Sequence, residues 1–155
     1  MAKSLRGIIG AQDIHLDVRV TCKRSILEML SQLSAQRFGL SAPDILQKLL
    51  DREQLGSTGV GGGIALPHAR GSVTGVHGIF LRLCEPVSFD AIDGGKVDLV
   101  FLLLAPDLDN ANHLKALSRV ARTLKTPGVL HILRGATTPE AAYSAFTCEG
   151  NAEAA

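Results

Sequence analysis

The chain has 155 residues, a formal net charge of +1, 46% hydrophobic residues and 4% aromatic residues with no tryptophan. That length suits a single domain spanning 1–155 with one continuous core. The near-neutral charge and the few rings argue against nucleic acid or an anionic membrane surface as partner.

No apolar run approaches the roughly 20 residues of a membrane span, so no stable membrane insertion is expected. The apolar run at the N-terminus is too short for a signal peptide, and the chain reads as cytoplasmic. Three widely spaced cysteines, Cys22, Cys84 and Cys148, suit reduced thiols and not a disulfide framework or a Cys-type zinc site.

At 14–20, IHLDVRV alternates apolar and polar residues and predicts a first strand. In CKRSILEMLSQLSAQRFG, Ile26, Leu30 and Leu33 recur at helical spacing and Gly39 stands where a C-terminal cap is wanted. A second helix starts afresh in SAPDILQKLLDREQLG. Ser41 is its N-cap, Pro43 suits its first turn, and Ile45, Leu46, Leu49 and Leu50 form its apolar stripe.

A Gly-rich loop follows, and GIALP at 63–67 reads as a short strand ended by Pro67. In GVHGIFLRLCEPV, Ile79, Leu81 and Leu83 alternate with Phe80, Arg82 and Cys84 along a strand. The near-continuous apolar run VDLVFLLLA predicts the centre of a sheet covered on both faces. DNANHLKALSRVARTLKTPG predicts an amphipathic helix with Asn110 as cap and Leu114, Leu117, Val120, Ala121 and Leu124 facing the core. Short helices near 129–133 and 139–146 complete the fold, and 148–155 reads as a flexible tail. This order predicts an α/β (α+β) chain, a three-layer α/β/α sandwich around a mixed sheet.

The chemistry concentrates at 57–71, STGVGGGIALPHARG. Glycines let backbone N–H groups converge into an anion cradle, although such a stretch serves equally well as a plain turn. It lacks the Lys-Ser/Thr pair of a P-loop, and it follows a helix where a dinucleotide fingerprint follows a strand. Pro67 stiffens the approach to His68. A neutral imidazole whose one nitrogen donates to a carbonyl keeps a lone pair on the other, which suits attack on phosphorus. A phosphohistidine needs donors, and Arg52, Thr58, Arg70 and the amides of Gly61, Gly62 and Gly63 are the candidates. His113 falls in the first turn of its helix, at the positive end of the dipole, where it reads either as an anion ligand or as an ordinary N-terminal histidine. His15, His77 and His131 read as structural or exposed.

Two segments carry a family resemblance. DREQLGSTGVGGGIALPHAR resembles the phosphorylation-site segment of the fructose/mannitol-type enzyme IIA proteins of the bacterial phosphoenolpyruvate-dependent phosphotransferase system. VSFDAIDGGKVDLVFLLLAP with NHLKALSRVAR resembles the nitrogen-regulatory branch of that family. The resemblance implies a mixed sheet between helices, a phosphorylated His68, an active-site Arg52, and His113 beside the phosphohistidine, with Thr58 and the loop amides lining the pocket. It implies a phosphotransferase component without cofactor or metal. An HPr-type phosphocarrier would be the donor, regulatory target proteins would be partners, and there is room for a weak homodimer. The family's loop commonly reads Gly-Asn-Gly where this chain has Gly61, Gly62 and Gly63. Three other readings stay open: a sugar-specific enzyme IIA feeding a separate IIB, a binding module that is never phosphorylated, and a metal hydrolase built on His68 and His113.

Overall fold

The structure is a computed structural model and describes residues 5–108 and 110–147, without the side chain of Asn110. The cap predicted at Asn110 and the tail predicted at 148–155 therefore lie outside the described residues. The strands are β1 (Ile14–Val18), β2 (Gly59–Gly61), β3 (Ile64–Ala65), β4 (His68–Gly71), β5 (His77–Ser88) and β6 (Lys96–Pro106). The helices are α1 (Lys23–Phe38), α2 (Ala42–Gln54), α3 (Asn110–Leu124), α4 (Pro127–Gly135) and α5 (Pro139–Thr147).

One mixed sheet runs in the order β1-β5-β6-β3-β2, and β4 also pairs with β6. The antiparallel pair β5–β6 is its centre, with Phe80 opposite Phe101. β1 lies parallel to β5, and the long connection between them carries α1, α2 and the short strands β2, β3 and β4. Successive side chains of β6 point to opposite faces, and both faces are covered. Val100, Leu102 and Leu104 pack with Ile26, Leu30, Ile45 and Leu49 of α1 and α2. Leu99, Phe101 and Leu103 pack with Val120, Leu124, Leu133 and Phe146 of the last three helices. Double coverage is why the run at 97–105 is apolar at nearly every position. The three-layer α/β/α sandwich with a mixed sheet is the architecture.

Local signals act where they were expected. Ser41 Oγ accepts from Asp44 N at 3.3 Å, and Gly39 closes α1 in the left-handed region. The strand predicted at 63–67 is different. It is only β3, and a further strand, β4, begins just past Pro67, the two keeping one register along β6: Ile64 faces Leu99 and His68 faces Leu103. The interruption falls at Leu66 and Pro67, where proline has no N–H to offer. Its carbonyl still accepts from Leu103 N at 3.0 Å.

The glycines form a β2–β3 hairpin that sequence periodicity did not predict, because strands of three and two residues are too short to show a period. Gly62 and Gly63 at its turn have φ of +68° and +83°. Positive φ at both central residues is what a tight hairpin demands, and Asn-Gly is a favoured pair there. A Cβ at Gly62 would meet nothing within 4 Å, whereas one at Gly63 would come within 2.6 Å of Arg134 Nη2 and 2.7 Å of Asp98 Oδ1. Gly62→Asn should therefore leave stability unchanged or raise it by up to about 1 kcal/mol. Gly63→Ala should lower it by about 1–3 kcal/mol, because the side chain strains the backbone and breaks the Arg134–Asp98 pair. Urea unfolding of the two variants beside the parent checks the contrast.

Candidate phosphoryl-transfer site

Residues 64, 66, 68 and 70 share one face of the interrupted strand, by the alternation of a strand. Ile64 and Leu66 go into the core under the last three helices, and the same parity sends His68 and Arg70 toward α3. At the interruption, Leu66 N donates to Thr58 O at 2.9 Å, and the Leu66 carbonyl accepts from His68 Nδ1 at 3.0 Å. A carbonyl cannot donate, so the proton of His68 resides on Nδ1 and the lone pair on Nε2. That nitrogen faces Arg52, whose Nε donates to it at 3.3 Å. Arg52 comes from the last turn of α2, and its Nη1 is held by the Gly56 carbonyl at 2.8 Å. Burial pushes the His68 pKa down, and the Arg52 and Arg70 cations push the same way against the Leu66 carbonyl and the Glu53 carboxylate.

His113 lies opposite on α3, with its ring centroid 5.3 Å from that of His68 and the rings edge to face. Arg70 Nε donates to His113 Nδ1 at 3.2 Å. Guanidinium has no acceptor, so here the lone pair is on Nδ1 and the proton on Nε2. His113 Nε2 is buried and meets no hydrogen-bond partner among the described residues. Burial lowers the His113 pKa, as do His68 and the Arg70 cation.

The α3 stripe differs by one position from the predicted one. His113, Ala116, Val120 and Leu124 are buried, and Leu114 is 66% exposed. Leu114 lines, with Leu117, Ser118 and Ala121, one wall of a pocket of about 350 Å³. Arg52, Ser57, Thr58 and His68 contribute to the other side. Two adjacent helical stripes run along α3, one facing the core and one facing the pocket.

The structure brings His68, Arg52, Thr58, Arg70 and His113 together. It does not bring Gly61, Gly62 and Gly63 to them. Those glycines lie at the hairpin turn, where Gly62 N donates to Asp93 Oδ2 at 3.2 Å and the Gly62 carbonyl accepts from Arg134 Nη2 at 2.9 Å. The turn sits beside Asp98, several residues down β6 from the Leu103 that faces His68. The amide cradle expected from the glycines is thus a hairpin turn whose Gly62 amide is already occupied.

One residue that sequence reasoning missed is Glu53, beside Arg52. Its carboxylate accepts the Thr58 amide at 3.0 Å and the Thr58 hydroxyl, and pairs with Lys23 Nζ at 2.9 Å. An acidic residue in the last turn of a helix runs against the dipole, and that was the available signal. Among the described residues, no three His, Cys, Asp or Glu side chains are grouped as a metal would need. His77 stacks on Phe38 with centroids 4.7 Å apart, and His131 is exposed. Cys22 and Cys84 are exposed free thiols, and Cys148 lies outside the described residues.

An imidazole with one unprotonated nitrogen, two arginines and a second imidazole thus meet on one side of a mixed sheet in an α/β/α sandwich. The family described as "Phosphoenolpyruvate-dependent sugar phosphotransferase system, EIIA 2" matches residues 8–148, and the chain belongs to it. The chain is 41% identical over 138 residues to the nitrogen regulatory protein of Bradyrhizobium diazoefficiens, covering 88% of this chain and 90% of the relative. It is 39% identical over 145 residues to the nitrogen regulatory protein of Escherichia coli, covering 92% and 89%. The crystal structure of nitrogen regulatory protein IIA-Ntr from Neisseria meningitidis superposes with a TM-score of 0.85 at 36% identity, covering 91% of this chain and 97% of that one. No helix among the described residues is long and apolar enough to cross a membrane.

The two tautomers are directly measurable. Nitrogen chemical shifts should show His68 protonated on Nδ1 and His113 on Nε2, with both rings titrating below the free-imidazole value of about 6.5. The folded chain then binds protons less readily than the unfolded one. The stabilisation is fully present above about pH 6.5 and is lost as pH falls toward and through the folded midpoints. The melting temperature should decline as the pH is taken below about 6.5, and His68→Ala should flatten that slope.

Proposed function

We propose that this chain is a phosphoryl carrier and regulatory protein of the nitrogen-related phosphotransferase system. A phosphohistidine of an HPr-type protein delivers the phosphoryl group to His68 Nε2. The observation that carries this reading is the His68 tautomer: Nδ1–H bound to Leu66 O leaves a bare Nε2 at a pocket flanked by Arg52 and His113.

The lone pair on His68 Nε2 forms the bond to phosphorus. The bond from phosphorus to the donor nitrogen breaks, and its electron pair stays with that nitrogen. The proton on His68 Nδ1 does not move, and the positive charge that develops on the ring faces the Leu66 carbonyl. Nucleophile and leaving group are both imidazoles, so the step is close to thermoneutral and needs no strong general acid or base. Positioning and charge carry the catalysis. Arg52 Nε turns from the lone pair to a phosphoryl oxygen, and the buried His113 Nε2–H finds its acceptor. The carried group adds about −1.5 to −2 charges beside the Leu114 wall and changes which partners bind there.

Incubation with phosphoenolpyruvate, enzyme I and an HPr-type protein should place an alkali-stable, acid-labile label on His68. His68→Ala should abolish the label while the chain stays folded. Arg52→Ala should slow transfer by about 10²-fold or more, the cost of removing a preorganised charge-stabilising donor. His113→Ala should leave His68 phosphorylatable but slow exchange. A His68→Ala variant labelled as well as the parent would overturn the assignment. Efficient onward transfer to a fructose- or mannitol-type IIB would place the chain in the sugar-handling branch instead.

A further inference from the structure

Arg70 has the residue type of a phosphate ligand, but the structure gives it other work. The geometry points to Arg70 as a positioning residue that acts through His113, fixing which nitrogen of that ring carries the proton and where it is aimed. This rests on the phosphocarrier reading above. The Nε of Arg70 is spent on His113 Nδ1 at 3.2 Å. The peptide of Arg70 is itself fixed, since its carbonyl accepts from Lys48 Nζ at 2.7 Å and β4 pairs it opposite Ala105. An anchored backbone makes the guanidinium a defined donor and not a loose surface cation.

Donation into Nδ1 has two consequences for His113. It forces the remaining ring proton onto Nε2, the atom that is buried without a partner among the described residues. It also occupies the lone pair that would otherwise take up a second proton, so the ring stays a neutral donor. A buried N–H with no acceptor is costly, and it persists only if the rest of the site over-determines its position. Arg70 supplies that determination. When a phosphoryl oxygen arrives on His68, the His113 donor is already aimed and nothing has to reorganise.

Glutamine separates this role from direct charge pairing with the phosphoryl group. Its amide nitrogen lies the same number of bonds from Cα as the arginine Nε, so Arg70→Gln keeps the donor and removes the cation. With an HPr-type protein charged by enzyme I and phosphoenolpyruvate, Arg70→Ala should slow exchange with His68 by about tenfold, roughly the worth of one net hydrogen bond. Arg70→Gln should stay within about threefold of the parent. In a His113→Ala background, Arg70→Ala should cost nothing further, because residues acting through one another are not additive. Independently of any phosphorylation, the Nε2 proton of His113 should be visible by nitrogen-edited NMR in the parent and in Arg70→Gln, and be lost to exchange in Arg70→Ala. An Arg70→Gln variant as slow as Arg70→Ala would overturn the proposal in favour of direct charge pairing, and so would a full tenfold loss in the His113→Ala background. A parent chain that takes no label at all would instead overturn the carrier reading and leave the NMR test of Arg70 intact.

Discussion

The site depends on one hydrogen bond, from His68 Nδ1 to the Leu66 carbonyl. Its net contribution to stability is of the order of 1 kcal/mol, too little to hold a fold together. What it decides is which ring nitrogen is bare, and the rest of the site is arranged around that nitrogen. The carbonyl is available because the chain has just run out of sheet partners on that side. Leu66 donates to Thr58, Pro67 has no N–H, and pairing with β6 resumes at His68 without a change of register. Behind Thr58 is Glu53 at the end of α2, the helix that also carries Arg52. His68 and Arg52 are thus tied to the same helix end, one through the backbone and the other directly.

The electrostatics of the site are unbalanced in a purposeful direction. Two guanidinium groups flank two imidazoles, both imidazoles are held neutral, and the nearby carboxylate of Glu53 is engaged by Thr58 and Lys23. Such an arrangement is tolerable because Arg52, Arg70 and His68 are only partly buried and water screens them. In the proposed carrier it becomes favourable once a dianion on His68 excludes that water, since the hydrogen bonds from Arg52 and from His113 Nε2–H strengthen as the dielectric falls. Neutral rings matter as much as the cations. In the proposed carrier, a protonated His68 would have no lone pair to offer, and a protonated His113 would hold the phosphoryl group too firmly for exchange between two imidazoles of similar affinity.

Much of this was legible in the chain. The caps at Gly39 and Ser41 mark helix ends and the near-continuous apolar run at 97–105 announces a strand covered on both faces, because each is a local rule with a local cause. His68, Arg52 and His113 stand out by residue type and position, and the structure sets Arg52 and His113 against His68, with His68 and Arg52 lining one pocket. What was not legible depended on distance in space. Leu114 was read as core because it follows a helical period, yet a one-residue rotation of the true stripe puts it at the pocket mouth. Arg70 is a candidate phosphate ligand by residue type, and nothing local reveals that its Nε meets a ring 43 residues away. Glu53 was passed over because its partners, the amide and hydroxyl of Thr58, lie beyond the end of its helix.

The glycines are the instructive case. Their number at 59–63 suggested an anion cradle, and the φ values show a hairpin turn anchored by Asp93 and Arg134. They still serve His68, but through the backbone. A tight turn with positive φ at Gly62 and Gly63 lets β2 fold back on β3, so that Thr58 O meets Leu66 N. A longer loop would let that pairing slide, and a slip of one residue would exchange the faces of the strand. The Leu66 carbonyl would then leave His68, and the proton on its ring would no longer have a fixed address. Glycine here sets a register, and the register sets a tautomer.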